Sequence, residues 1–395
     1  MKFASKLVSF DVAPGDPFRP MATPIYQTAT FEQEEATSFG PYDYSRSGNP
    51  TRTVLEEQIA LLENGRRGFC FASGMAAITS ITRLLKTGDE ILADSDLYGG
   101  TCRLFTRVLD RTGIVARYAD ACAVEAFAAQ IRERTKLVYL ESPTNPLLRV
   151  VDIRQIADLA HASGALLAVD SSAMSPYLQN PLNLGADLVL HSATKFLCGH
   201  SDVTAGVVVA KDDELAKQIY FLQNAEGNAL GPFDAFLFLR GLKTLKLRLD
   251  CQQKNAQSLA EWLERHPQVT SVNYPGLTTS PGHLLQRKQA RGAGAVLSFT
   301  TGSVEMSRRI VEATRMFSIC VSFGSINSTI SLPGRMSHAS VPPEVGELRE
   351  LPCDLVRISV GIEDAGDLIT DLEQAFAVAT LEQASLSEEG EAEVA

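Results

Sequence analysis

The chain has 395 residues, 45% of them hydrophobic, which is more than one simple core accommodates and leads us to expect two packed domains. Its net charge of −11 comes from 36 basic and 47 acidic residues with no Lys/Arg block able to follow a phosphate backbone, which speaks against nucleic acid as a partner. The seven cysteines form no C-x-x-C pair and are odd in number, against both a zinc ribbon and a disulfide framework.

They read as buried thiols of a reducing compartment, and no metal constellation is expected. The opening "MKFASKLVSFDVAPGDPF" lacks an apolar core of signal-peptide length, and no apolar run reaches the ~20 residues of a membrane helix. The expectation is a cytoplasmic protein, or a plastid one if a transit peptide has been removed.

In chain order, residues 1–60 are rich in Pro, Gly and aromatic residues and predict an extended arm of the kind that embraces a neighbouring subunit. From Arg67 onward short apolar runs ("GFCF", "EILA", "IVARY", "KLVYLES", "ALLAVD", "DLVLHS") alternate with amphipathic stretches such as "MAAITSITRLL" and "IRQIADLAHASG". Such alternation predicts β-α-β units around a mostly parallel sheet, a large domain over 61–245. A helical zone over 214–266, interrupted at 227–232, leads into a smaller α+β domain over 246–380. Its strands are "SVNYP", "AVLSFT" and "LVRISVG", with helices at 303–314 and 364–379. The acidic stretch 381–395 predicts a disordered tail.

One lysine stands out. Lys195 follows the run Leu188-Val189-Leu190 and sits beside Ser192 and Thr194, small hydroxyl donors at a strand's carboxyl end, where open α/β sheets bind ligands. The preceding strand ends in Asp170, at the same sheet edge. Ser73, Gly74 and Met75 open a helix directly after a strand, a donor-rich N-terminus suited to a phosphate. Pyridoxal phosphate needs an amine for its aldehyde, an anion beside its ring nitrogen and donors around its phosphate, so it accounts for all these features. Lys195 would carry the Schiff base and Asp170 would keep the ring nitrogen protonated. Ser73, Gly74, Met75, Ser192 and Thr194 would hold the phosphate. A dinucleotide is the rival phosphate ligand, but no G-x-G-x-x-G follows an early strand.

The motifs "YSRSGNPT", "SGMAA", "YGGT", "ESPTNP", "VDSS", "HSATKF", "GHSDVTAGVV", "MSHASVP" and "VRISVGIED" together resemble the Cys/Met-metabolism family of pyridoxal-phosphate enzymes, over 6–376. "SFGS", with "MSPYLQNPLNLGAD" and "IYFLQNAEGNALGPFDAFLFLRGLKT", is most similar to its plant-type cystathionine β-lyases. The resemblance implies an aspartate-aminotransferase-like fold type I and a homotetramer of two intimate dimers acting on a small sulfur amino acid. It implies β-elimination of cystathionine to homocysteine, pyruvate and ammonia, with γ-lyase, γ-synthase, methionine γ-lyase or cysteine/cystine lyase chemistry as the alternative. A non-catalytic scaffold is the remote alternative.

The resemblance also assigns residues. Tyr44 and Arg46 would reach a neighbouring subunit's cofactor phosphate, and Tyr44 would also touch substrate. Tyr98 would stack on the ring and assist proton transfer. Asn145 would bond the cofactor's phenolic oxygen with Glu141 behind it, Arg357 would bind the substrate carboxylate, and Ser328 would position the lysine. Asn327 stands where many γ-acting relatives carry a glutamate facing the substrate side chain, and Ser171 where most carry asparagine. His191, His200 and His338 are expected to be structural, and Cys198 is not expected to be a nucleophile.

Overall fold

In the computed structural model, which describes residues 1–336 and 351–394, with side chains through Leu381, the apolar runs become strands of two sheets. The larger contains β1 (Arg67–Phe71), β2 (Glu90–Asp94), β3 (Val115–Ala119), β4 (Thr135–Glu141), β5 (Leu166–Asp170), β6 (Leu188–Ser192) and β7 (Gly206–Ala210). Their order is β1-β7-β6-β5-β4-β2-β3. From β6 to β3 every neighbouring pair is parallel, whereas β7 runs antiparallel to both β1 and β6. Helices cover both faces, which is why β5 and β6 read as unbroken apolar runs and not as alternation. The α/β expectation holds; β7, "GVVVA", is a strand that the sequence reading did not single out.

The helices start where short polar side chains can cap them. Ser73, Asp152, Asp212 and Ser303 each accept a hydrogen bond from an amide of the first turn that follows. The helix Ile153–Ala162 buries Ile153, Ile156, Ala157 and Ala160, one face at helical spacing, against the sheet. The helical zone breaks at 227–231 as expected and once more at 243–244, giving helices Asp213–Glu226, Pro232–Leu242 and Leu245–Glu264.

The smaller sheet holds β8 (Ser271–Asn273), β9 (Val296–Thr300), β10 (Ser318–Ile319), β11 (Thr329–Ser331) and β12 (Val356–Ser359), ordered β10-β11-β12-β9-β8. β10 and β11 are too short to show a period in the sequence. Helices Val304–Ala313 and Ala365–Val394 pack on each other beside this sheet.

Two boundaries differ from expectation. The limit at residue 60 cuts through helix Pro50–Glu63, whose Leu55 and Ile59 are fully buried with the large sheet's core. Within 1–60, exposed, irregular chain is confined to residues before 50, where Phe18, Met21 and Phe39 are exposed, and even there helix Phe3–Val8 buries Leu7 in the same core. The stretch read as a disordered tail continues the last helix to Val394, because Leu, Glu, Ala and Gln are strong helix formers whatever their net charge.

Candidate active site

β4, β5 and β6 end together and face the start of helix Gly74–Thr82, which follows β1. This is the crevice beyond the carboxyl ends of parallel strands where ligands settle. A cavity of about 460 Å³ opens there, lined from both sheets.

At one end the Ser73 hydroxyl accepts from Ala76 N at 3.1 Å and caps its own helix, while Ala77 N reaches Ser73 O. The first-turn amides of Gly74 and Met75 therefore have no intrahelical acceptor, and both residues line the cavity. Gly74 has to be glycine here, since a Cβ would lie 2.9 Å from Ser192 Cβ. Ser192 and Thr194 line the same end. Thr194 is held by Ala205, whose N–H donates to its hydroxyl at 3.0 Å.

Asp170 ends β5 as a buried carboxylate. Oδ1 accepts from Ser172 N at 2.9 Å, and Oδ2 accepts from the Tyr139 hydroxyl at 3.4 Å. Burial pushes its pKa up, opposed by hydrogen bonds from Ser172, by the charge of His191 and by Tyr139. No ion pair neutralises it among the described residues.

Lys195 lies one turn beyond β6 and projects into the cavity, Nζ donating to Ser322 Oγ and sitting 5.1 Å from the centre of the Phe323 ring. Burial, and then the neighbouring Arg357 guanidinium, bring the amine down to about 8, against the opposing pull of Asp170 and Cys320. Arg357, on β12, is 2% exposed. Its Nη1 donates to Asn145 Oδ1 at 3.0 Å and its Nη2 to Ser322 O at 2.7 Å. Burial lowers this guanidinium to about 10, and no carboxylate among the described residues pairs with it. A buried cation in that state calls for an anion from outside the chain.

Ser73, Gly74, Met75, Tyr98, Asn145, Asp170, Ser192, Thr194, Lys195 and Arg357 thus all line one cavity, as does Glu141, whose Oε1 accepts from Tyr98 N at 3.1 Å. Tyr44 and Arg46 do not line it. Tyr44 is exposed, and Arg46 donates to Asn224 O at 2.8 Å. His338 lies outside the described residues.

Two expectations are corrected. Ser328 does not reach Lys195; its hydroxyl donates to Glu363 Oε2 at 2.8 Å and accepts from Gly361 N at 2.8 Å, in a buried knot behind the cavity wall. Ser322, six residues earlier, takes that place. Asn327 is exposed and lines no part of the cavity, because the turn carrying it points away between Ser322 and β11. The serine at 322 has φ +82°, a conformation rare outside glycine, and Gly324 has φ +91° with no room for a Cβ, which would lie 2.7 Å from Phe196 N. Strain of this kind gathers at working sites. The sequence reading also missed Phe323 and Arg103; the latter is exposed at the cavity's rim, and its place in "YGGTCRLF", five residues after Tyr98, was the available signal.

The cavity therefore holds an amine, the buried carboxylates of Asp170 and Glu141, helix-start amides without an intrahelical acceptor and a buried guanidinium. That set fits pyridoxal phosphate together with an amino acid's carboxylate, and defines a pyridoxal-phosphate-dependent enzyme of fold type I. The chain belongs to the Cys/Met metabolism PLP-dependent enzyme family, whose model matches residues 4–377. It is 56% identical to the chloroplastic cystathionine beta-lyase of Arabidopsis thaliana over 91% of this chain and 78% of the relative. It is 46% identical to the cystathionine gamma-lyase of Bacillus subtilis (strain 168), over 90% of this chain and 94% of the relative. The crystal structure of a cystathionine gamma-lyase from Lactobacillus plantarum complexed with L-serine superposes with a TM-score of 0.94 at 40% identity, covering 96% of this chain and all of that one.

Proposed function

We propose that the chain is a carbon–sulfur lyase that cleaves L-cystathionine by β-elimination, releasing homocysteine, pyruvate and ammonia. The observation that carries this reading is Lys195: an amine at about 8, on the cavity floor between Asp170 and Arg357, able to take a proton near neutral pH. Likeness to the Arabidopsis lyase supports the direction of cleavage.

When bound, pyridoxal phosphate supplies an electron sink that makes loss of an amino acid's Cα proton accessible. The first-turn amides of Gly74 and Met75, with Ser73, Ser192 and Thr194, would hold its phosphate, and Asp170 would serve its ring nitrogen. Asn145 would bond its phenolic oxygen, and Tyr98 would pack on its ring. Arg357 binds the substrate α-carboxylate, already aimed by Asn145 and Ser322. Lys195 Nζ, steadied by Ser322, takes the Cα proton and returns it to the sulfur that leaves Cβ. Arg103 at the rim suits the second carboxylate of a substrate with an amino-acid group at each end. Tyr44 and Arg46 serve the phosphate site of a neighbouring subunit, in a dimer at least and in a tetramer by analogy. None of the described helices is long and apolar enough to cross a membrane, and the working location is the cytoplasm or a plastid.

Incubation with cystathionine, followed by separation of the products, tests the reaction. Pyruvate with homocysteine supports it; 2-oxobutyrate with cysteine overturns it in favour of γ-elimination, the chemistry named for the Bacillus relative.

A further inference from the structure

The turn that carries Lys195 is held from outside itself. Cys198 N donates to Ala193 O at 2.9 Å and Gly199 N to Lys195 O at 2.8 Å, and there the helical path stops, so the carbonyls of residues 196–199 have no following turn to bond them. Each finds another partner. Phe196 O accepts from Arg248 Nη1 at 2.8 Å and Leu197 O from Arg248 Nη2 at 3.3 Å. Cys198 O accepts from His200 Nδ1 at 2.7 Å, and Gly199 O from Ile326 N at 2.9 Å.

Arg248 reaches this turn from helix Leu245–Glu264. Its Nη2 also donates to Gly241 O at 3.0 Å and its Nε to Thr244 Oγ1 at 3.1 Å. It is buried, and no carboxylate among the described residues pairs with it. Neutral acceptors alone are a costly setting for a buried cation, but the planar fork fixes two carbonyls of one turn at once. The approach is close: a Cβ on Gly199, at φ +74°, would lie 2.1 Å from Arg248 Nη1, so only glycine admits the guanidinium.

The same helix face serves the opposite wall of the cavity. Gln252 and Asn255, both buried, follow Arg248 at i+4 and i+7. Gln252 Nε2 donates to Ser325 O at 2.8 Å and to Val360 O at 2.9 Å, and Asn255 Nδ2 to Gly361 O at 3.2 Å and Glu363 O at 2.7 Å. Ser325 belongs to the segment of Ser322, which receives the Lys195 amine, and Val360 directly follows β12, the strand of Arg357. The two gripped pieces meet backbone to backbone, since a Cβ on Gly324 would lie 2.9 Å from Lys195 Cα.

We propose that Arg248 and Gln252 are positioning residues for Lys195: one helical turn apart, they lock the lysine's turn and the Ser322–Arg357 wall into one register, so that the amine meets the substrate's Cα proton. This rests on Lys195 being the group that takes that proton. Neither residue lines the cavity, so each acts through the backbone that it holds.

The test uses the holoenzyme with cystathionine and reads kcat and KM beside the thermal midpoint and the lysine-linked cofactor absorbance, which reports loading. Arg248→Lys keeps a cation and loses the fork. Its kcat is expected to fall ~10-fold with KM nearly unchanged, the order for a reacting group displaced by part of an ångström. Gln252→Met keeps the volume and removes both donated bonds; kcat should fall ~3-fold and KM rise ~3-fold, because the strand of Arg357 is loosened as well. A wild-type kcat in either variant, with only the thermal midpoint lowered, overturns the inference for that residue. If Arg248→Lys does not fold, Thr244→Val, which takes one acceptor from the guanidinium, replaces it: kcat ~3-fold lower is expected, and an unchanged kcat overturns the role of Arg248. Lys195→Ala separates the two readings. Turnover near wild type in it means that Lys195 is not the base, and the site reading fails; inactivity in it beside wild-type kcat in the other variants removes only the positioning residues.

Discussion

The two walls of the cavity are built differently. The wall on the larger sheet's side is made of strand ends and a helix start, each in or within three residues of regular structure, so Asp170, Ser192, Lys195 and Gly74 stand where the parallel sheet puts them. The small-domain wall is Arg357 on a four-residue strand and the irregular segment 321–328, whose backbone passes through positive φ at Ser322 and Gly324. The first wall teaches that sheet geometry alone can bring an amine, a carboxylate and helix-start amides to one cavity. The second is held by hydrogen bonds across the cavity, with Arg357 tied to Ser322 O and to Asn145 on the opposite wall.

If that division is right, breaking the large-domain wall should remove chemistry, whereas breaking the other should tune it. The largest effect is expected from Lys195→Ala: turnover measured as pyruvate release should fall by ~10³-fold or more, together with loss of the lysine-linked cofactor absorbance. Residual activity near wild type would show that the proton is handled elsewhere.

Arg357→Gln should come next. Losing a charged hydrogen bond to the substrate carboxylate should lower kcat/KM by ~10–100-fold, chiefly through KM. The same substitution has a pH signature. Lys195 acts as the free amine, so activity rises as pH rises through about 8; Arg357 is one of the causes that keep the amine there, and without it the limb should move to higher pH. A limb that stays in place would mean that the two groups are not coupled across the junction.

The smallest effects should separate two serines. Ser322→Ala removes the hydroxyl that receives Lys195 and should lower kcat by ~5-fold, about 1 kcal/mol, with little change in thermal midpoint. Ser328→Ala strips a buried donor from Glu363 and should destabilise the fold by ~1–3 kcal/mol while leaving kcat almost unchanged. The reverse pattern would restore the role first read for Ser328.

These serines also mark how far the site was legible in the chain. Lys195, Asp170 and the Ser73–Met75 turn could be read because each follows a short apolar run, and a strand's end is visible as the point where that run stops. Arg357 was legible as a charge inside an apolar strand. Ser322 and Ser328 could not be separated, since both are serines in one irregular stretch that lacks a period, and β10 and β11, which orient it, are two and three residues long. The acidic tail misled for the opposite reason: its composition suggested disorder, while its helix formers carry the last helix onward.

The sequence by itself determined the alternating strands and helices, the burial of the sheet and the lysine beyond β6, because these follow from local hydrophobic pattern and capping. Only the tertiary structure decided which serine meets that lysine, that Arg357 is aimed by Asn145 from 212 residues away, and that Arg248 closes on Phe196, 52 residues earlier, in the turn of the lysine. Contacts of that span depend on how whole elements pack, and a pattern of near neighbours holds no record of them.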